Sequence, residues 1–224
     1  MKILCVSDHI DPLVYSSSVR SRFEDVDFVL SAGDLPMEYL GFIASSLNKP
    51  VGFVFGNHNL KELSTFSRAS RSMLEDTSIH SQIRNHFGAT YLEDRVRRIN
   101  GLLVAGLGGS MRYNDGDHQF TEGQMYRRMW RLFPRLLWNR VVHGRYLDIL
   151  LTHAAPRGIH DKQDPCHRGF TSLLWFMRRF KPRYLLHGHI HLYDLNEERT
   201  TRYRETQVIN VYDHYVLEVE EHDE

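Results

Sequence analysis

An α/β fold is what this sequence predicts, on three observations. Short apolar runs, Lys2 to Val6, Val26 to Leu30 and Val51 to Phe55, read as buried strands. Each run ends in a small polar group: Ser7-Asp8, then Ser31-Ala32-Gly33-Asp34, then Gly56-Asn57-His58. Between the second and third runs, Pro36 can open a helix that continues through Leu47, because proline is tolerated where a first-turn amide has no partner. Strand, polar loop and helix therefore alternate, with polar groups gathered at the carboxyl ends of strands.

Further along, Lys61 to His86 has weak apolar spacing and frequent Ser, Thr and Arg, which gives a surface helix or two. Ala89 to Leu92 and Leu102 to Ala105 read as short strands, the first at an edge. Glu122 to Asn139 is helical, with Pro134 marking a bend or a break between two helices. Tyr146 to Leu151 is a strand ending in Thr152-His153. Phe170 to Phe180 is a helix stopped before Pro182, and Arg183 to Leu186 is a strand ending in His187-Gly188-His189-Ile190-His191. Thr206 to Val211 and Tyr215 to Glu220 alternate around Tyr212-Asp213-His214, as an antiparallel pair would.

The 224 residues suit one domain over 1–224, and 42% hydrophobic with 25% charged residues is ordinary globular composition that argues against extended disorder. Lys plus Arg and Asp plus Glu balance at 28 each, so no net field draws polyanions. Two cysteines without a CxxC spacing make no disulfide framework and suit a reducing compartment. The run Ile3 to Val6 is too short for a signal-peptide core, and no apolar stretch reaches the roughly 18 residues of a membrane span. A cytoplasmic location is the expectation.

Five strand ends deliver Asp8, Asp34, Asn57 with His58, His153, and His189 with His191. Side chains on such loops can converge at one sheet edge although distant in sequence. Carboxylates and neutral imidazoles bind divalent first-row metals, and two cations about 3.5–4 Å apart can grip the attacking and leaving oxygens of a phosphoryl transfer. Taken singly, each residue has a plainer explanation. Asp8 and Asp34 could cap helices, Asn57 could serve a turn, and His153 could be a satisfied core histidine. His189 and His191, two apart, would share a strand face. Recurrence of these groups at strand termini favours a shared site.

In order, Ser7-Asp8-His9-Ile10-Asp11, Gly33-Asp34, Gly56-Asn57-His58, Thr152-His153 and Gly188-His189-Ile190-His191 closely resemble the calcineurin-like metallophosphoesterase superfamily, from the first strand to the tail. The resemblance implies a four-layer αββα sandwich of two mixed sheets. It also implies two divalent cations of the Mn²⁺, Fe²⁺/Fe³⁺ or Zn²⁺ class, bridged by Asp34. Asp8 and His191 would hold the first, and Asn57, His153 and His189 the second. His58 would stand beside the substrate phosphate as donor or acid, and a metal-bridging hydroxide would attack phosphorus in line.

Two positions depart from the family pattern. Where the family has a His two places after its first Asp, this chain has Ile10, which leaves His9, Asp11 or water to fill the vacancy. After Gly33-Asp34, a second supporting Asp is replaced by Leu35, Pro36, Met37 and Glu38, so His58 needs another partner.

Gly106-Leu107-Gly108-Gly109-Ser110 before Arg112 could form a phosphate nest, although a tight exit from a strand explains it better. Arg112, Tyr113 and Asn114 are the first stretch to inspect for substrate contacts. His187 matches no family ligand. Arg127, Arg128, Arg131, Arg135, Arg140 and Arg145 are interleaved with Trp130, Phe133 and Trp138, which a capping helix pair with outward arginines explains better than contact with nucleic acid, anionic lipid or a partner surface; a homodimer through Trp130–Trp138 stays open.

The expected activity is hydrolysis of a phosphate monoester or diester, with a small phosphorylated molecule or nucleotide as substrate. The alternatives are a nuclease or nucleotide phosphodiesterase of the same chemistry, or a weak scaffold that keeps the fold.

Overall fold

The computed structural model describes residues 1–58, 88–194 and 197–219. The helix expected over 61–86 lies outside the described residues.

The first sheet is built from β1 (Lys2–Ser7), β2 (Phe28–Ser31), β3 (Val51–Phe53), β4 (Ala89–Tyr91) and β13 (Asp213–Glu218). Their order is β13-β1-β2-β3-β4, and only β13 is antiparallel to its neighbour, pairing with β1. The second sheet contains β5 (Arg95–Ile99), β6 (Leu102–Leu107), β9 (Ile149–Thr152), β10 (Tyr184–His187), β11 (Thr200–Tyr203) and β12 (Thr206–Asn210). It runs β11-β12-β10-β9-β6-β5, with antiparallel pairs only at its two edges. A two-residue pair, β7 (Ser110–Met111) and β8 (Gln119–Phe120), stands apart.

Central strands β2, β6, β9 and β10 are buried along their whole length, as strands covered on both faces must be. Ile3, Cys5, Leu30, Val104, Ile149, Leu151 and Leu186 fill the space between the two sheets. On the outer face of the first sheet lie α1 (Val19–Phe23) and α2 (Met37–Leu47), through Val19, Phe23, Leu40 and Ile43. On the outer face of the second lie α3 (Glu122–His143) and α4 (Thr171–Phe180), through Met125, Met129, Leu132, Phe176 and Phe180. The architecture is thus the expected αββα sandwich with two mixed sheets. No helix of the described residues is long and apolar enough to cross a membrane.

The helix ends follow local chemistry. Helix α3 opens on a capping box between Thr121 and Gln124 and closes on Gly144 at φ 69°. Glu122, in its first turn, also accepts the amides of Thr171 and Ser172 at 2.6 and 3.0 Å, and so caps α4.

Three expectations are corrected. Pro134 does not break the segment into two helices: α3 runs through it, with the proline on the exposed side. The tail segments do not pair with each other. β12 joins the second sheet between β10 and β11 while β13 crosses to the first, so Val211 and Tyr212 carry the chain from one sheet to the other. Finally, Arg128 does not face water. It is buried against Glu93 and Asp94, its Nε donating to Asp94 at 2.8 Å and its Nη1 to the Gly108 carbonyl at 2.7 Å. Trp130, Trp138 and Val141 are exposed beside the other arginines of α3.

Candidate metal centre

Each sheet contributes strand ends to one cluster. From the first sheet come Asp8 after β1, Asp34 after β2, and Asn57 after β3; from the second come His153 after β9, and His189 and His191 after β10. Backbone hydrogen bonds knit these loops together: Asp8 N–H donates to the Gly33 carbonyl and Gly188 N–H to that of His153, both at 3.1 Å. Asp8, Asp34 and His189 adopt φ of 64°, 55° and 66°, an uncommon conformation for residues with a Cβ, and one that concentrates at functional sites. Asp8 and Asp34 are not helix caps, since α1 begins at Val19 and the cap position of α2 is Pro36.

His153 is the hinge of the cluster. Its ring is fully buried; Nδ1 meets the Ala32 carbonyl at 2.8 Å, which fixes that nitrogen as the donor. Nε2 then faces Asp34 Oδ2 and Asn57 Oδ1, each at 3.2 Å. A neutral Nε2, a carboxylate oxygen and an amide oxygen are all acceptors, so only a proton or a cation at their meeting point satisfies them. Without a cation the proton wins. Burial opposes the charged ring, but the Asp34 carboxylate overcomes it and raises the His153 pKa to about 9. Burial likewise disfavours the Asp34 charge, yet His153 holds that carboxyl well below its usual range. His189 donates through Nε2 to the Cys166 carbonyl at 2.7 Å, leaving Nδ1 for the site, and burial lowers its pKa to about 3. The ligand-capable atoms of Asp34, His153 and His189 lie within 4.8 Å of one another.

Asp8 forms the other side. Its Oδ2 accepts from the Ser7 hydroxyl and from the His189 amide at 2.9 Å. Among the described residues its buried Oδ1 has no hydrogen-bond partner, and it stands 3.8 Å from His191 Nε2. Burial, with the Asp34 charge adding to it, raises the Asp8 pKa. An orphaned buried carboxylate oxygen facing an imidazole nitrogen fits a cation, as does the three-acceptor meeting at His153. The Asp34, His153 and His189 atoms, with the Asn57 amide oxygen beside them, therefore suit a divalent ion, and Asp8 Oδ1 and His191 offer further donors next to that group.

Of the residues offered for the Ile10 vacancy, His9 pairs its Nδ1 with Asp213 at 2.8 Å, which leaves Nε2 uncommitted, and Asp11 accepts from the Leu13 amide at 2.7 Å and pairs with His214 Nδ1. His58 donates its backbone N–H to Asp34 Oδ1 at 2.9 Å; among the described residues its exposed ring has no hydrogen-bond partner. Of the stretch singled out for substrate contacts, Tyr113 reaches the cluster, its hydroxyl accepting from Asn57 Nδ2 at 3.3 Å. Arg112 instead turns back to the Gln119 carbonyl at 3.5 Å. The glycine turn serves packing: a Cβ on Gly109 would collide with the ring of Phe120, and Gly109 N–H donates to the Phe55 carbonyl at 2.8 Å. His187 lies buried behind the site, paired with His160 at 3.0 Å.

Sequence reasoning missed two supports. His118 Nδ1 meets the Gly56 carbonyl at 2.9 Å, directly before Asn57, while its Nε2 faces Glu93 at 3.5 Å. Tyr193 meets His191 Nδ1 at 2.8 Å, and Tyr212 stacks on the same ring at 4.8 Å between centroids. His118 sits far from any strand-end motif, and no local pattern marks it.

Comparison with known proteins gives a consistent family. The model for "Calcineurin-like phosphoesterase" matches residues 1–193. The chain is 26% identical over 197 residues to UPF0046 protein T07D4.2 of Caenorhabditis elegans, covering 76% of this chain and 47% of that one, so it spans about half that relative's length. The crystal structure of TT1561 of Thermus thermophilus superposes with a TM-score of 0.60 at 15% identity, over 95% of this chain and 89% of that chain. A further crystal structure reaches 0.64 at 13% identity, over 96% and 94%. Those two likenesses concern the fold; the family model, matching most of the sequence and all but a short tail, places this chain in the calcineurin-like phosphoesterase family.

Proposed function

We propose that this chain hydrolyses a phosphate monoester or diester at a dinuclear centre in which Asp34 is shared. The observation that carries the proposal is the pair of cation-shaped deficits beside Asp34: three acceptors meeting at His153, and the buried Oδ1 of Asp8, which has no hydrogen-bond partner among the described residues. Bound divalent ions would lower the pKa of water at the site and neutralise charge on phosphoryl oxygens.

The chain's own residues do the remainder. His153 and His189 are held by backbone carbonyls, so their free nitrogens are aimed before any ligand arrives. Asn57 is braced by Tyr113. Tyr193 and Tyr212 orient the ring of His191, by a hydrogen bond to Nδ1 and by stacking. His58, exposed and tied through its backbone to Asp34, would donate to a phosphoryl or leaving oxygen, adding stabilisation where charge develops.

The test is turnover of p-nitrophenyl phosphate and bis-p-nitrophenyl phosphate by the full chain, stripped with chelator and reloaded with Mn²⁺. Restored turnover of either ester supports the reading, and the ratio separates monoesterase from diesterase. A reloaded chain that binds Mn²⁺ yet turns over neither ester, nor oligonucleotides or cyclic nucleotides, would make it a scaffold.

A further inference from the structure

A second group of ligand-capable side chains stands on the loop between β9 and α4. Asp164, Cys166 and His167 offer a carboxylate oxygen, a thiol sulfur and an imidazole nitrogen within 4.8 Å of one another. Cys166 Sγ lies 2.7 Å from Asp164 Oδ1, His167 Nδ1 lies 2.8 Å from the same oxygen, and sulfur and nitrogen are 3.4 Å apart. The His167 and Asp164 side chains are 36% and 43% exposed, so the outer side of the group is open to solvent.

A hydrogen-bonded turn explains part of this, since the His167 amide also donates to Asp164 at 3.1 Å. It does not explain the thiol. Free cysteine usually behaves as a small buried hydrophobe, as Cys5 does here, whereas Cys166 is only partly buried and its sulfur is held between a carboxylate and an imidazole. One sulfur, one imidazole nitrogen and one carboxylate oxygen form a donor set for a borderline divalent ion. With ligand bonds of about 2.0–2.3 Å, tetrahedral donors stand roughly 3.3–3.7 Å apart. The sulfur–nitrogen pair already has that spacing, and the carboxylate needs an outward shift of less than about 1 Å to match.

We infer that Asp164, Cys166 and His167 form a separate site for a Zn²⁺-class ion, with water completing its coordination. Loading takes one divalent ion from solution and releases the Cys166 thiol proton to buffer. The site would not be idle: the Cys166 carbonyl is the acceptor that orients His189, so an ion on this loop would stiffen one wall of the Asp34 cluster. The inference stands on these three residues and does not depend on the phosphoesterase reading.

Co²⁺ titration of the chelator-stripped full chain, followed by absorption, tests it. A thiolate on cobalt gives near-ultraviolet charge-transfer absorption that a centre of oxygen and nitrogen donors cannot, and Cys5, fully buried in β1, cannot supply it. The band should appear with the wild-type chain, persist in Asp34→Asn, vanish in Cys166→Ser and weaken in His167→Gln, with circular dichroism confirming that each variant is folded. Absence of the band from the wild type, its survival in Cys166→Ser, or its loss in a folded Asp34→Asn variant would overturn the assignment.

Discussion

At His153 a single nitrogen decides between a proton and a cation, and this choice sets the pH behaviour of the site. In the cation-free chain the ring keeps its proton up to about pH 9, above the ordinary histidine value. Below that pH a metal must displace this proton; above it none remains to displace. Metal affinity should therefore rise as pH is raised towards 9 and flatten beyond it. Calorimetry in two buffers of different ionisation heat would read the proton released. Removing the brace on Asn57 with Tyr113→Phe, or the support of its loop with His118→Ala, should weaken metal binding by about 10-fold while the fold persists, as loss of an outer-shell partner typically does. The residues of the strand-end cluster were legible in the sequence because each follows an apolar run. Tyr113 was legible only as part of a stretch, and His118 not at all, since its role depends on a long-range contact with Gly56.

Strand ends do the positioning, and tight backbone passages make the cluster possible. Gly33, at φ 103°, lies so close to the next loop that an added Cβ would sit 2.5 Å from Gly56 N and 2.8 Å from His153 Nδ1. Gly33→Ala should cost at least about 1 kcal/mol, from the left-handed backbone and the collision together, and lower Tm by ~2 °C or more. Helix α3 carries the opposite case. Pro134 lies in its interior, forfeits a backbone hydrogen bond and is exposed, so Pro134→Ala should raise stability by about 1–3 kcal/mol in a denaturant titration. These elements also show where local reading ends. Periodicity located β1, β2, β9, β10 and α4 because burial on fixed faces leaves a local trace. It could not tell that β12 and β13 belong to different sheets, since their alternation is the same whichever partner receives them. Nor could it foresee that packing of Met125, Met129, Leu132 and Leu136 on the second sheet carries α3 through its proline.

At the scale of the whole molecule, the site exists because two sheets stack with their strand ends at a common edge. Asp8, Asp34 and Asn57 come from one sheet and His153, His189 and His191 from the other, and neither half holds a complete ligand set. In the proposed centre the two cation positions would be unequal, because Ile10 contributes no donor to the Asp8 side. The most direct test is the stoichiometry of Mn²⁺ bound to the chelator-stripped chain, followed by electron paramagnetic resonance in the Cys166→Ser background so that the outer loop does not contribute. Two ions per chain are expected, bound in separable steps with the position at Asn57, His153 and His189 filling first, and Asp34→Asn should weaken both. A chain that binds no Mn²⁺, or that binds two ions equally well with and without Asp34→Asn, would contradict a shared carboxylate at the centre of the fold.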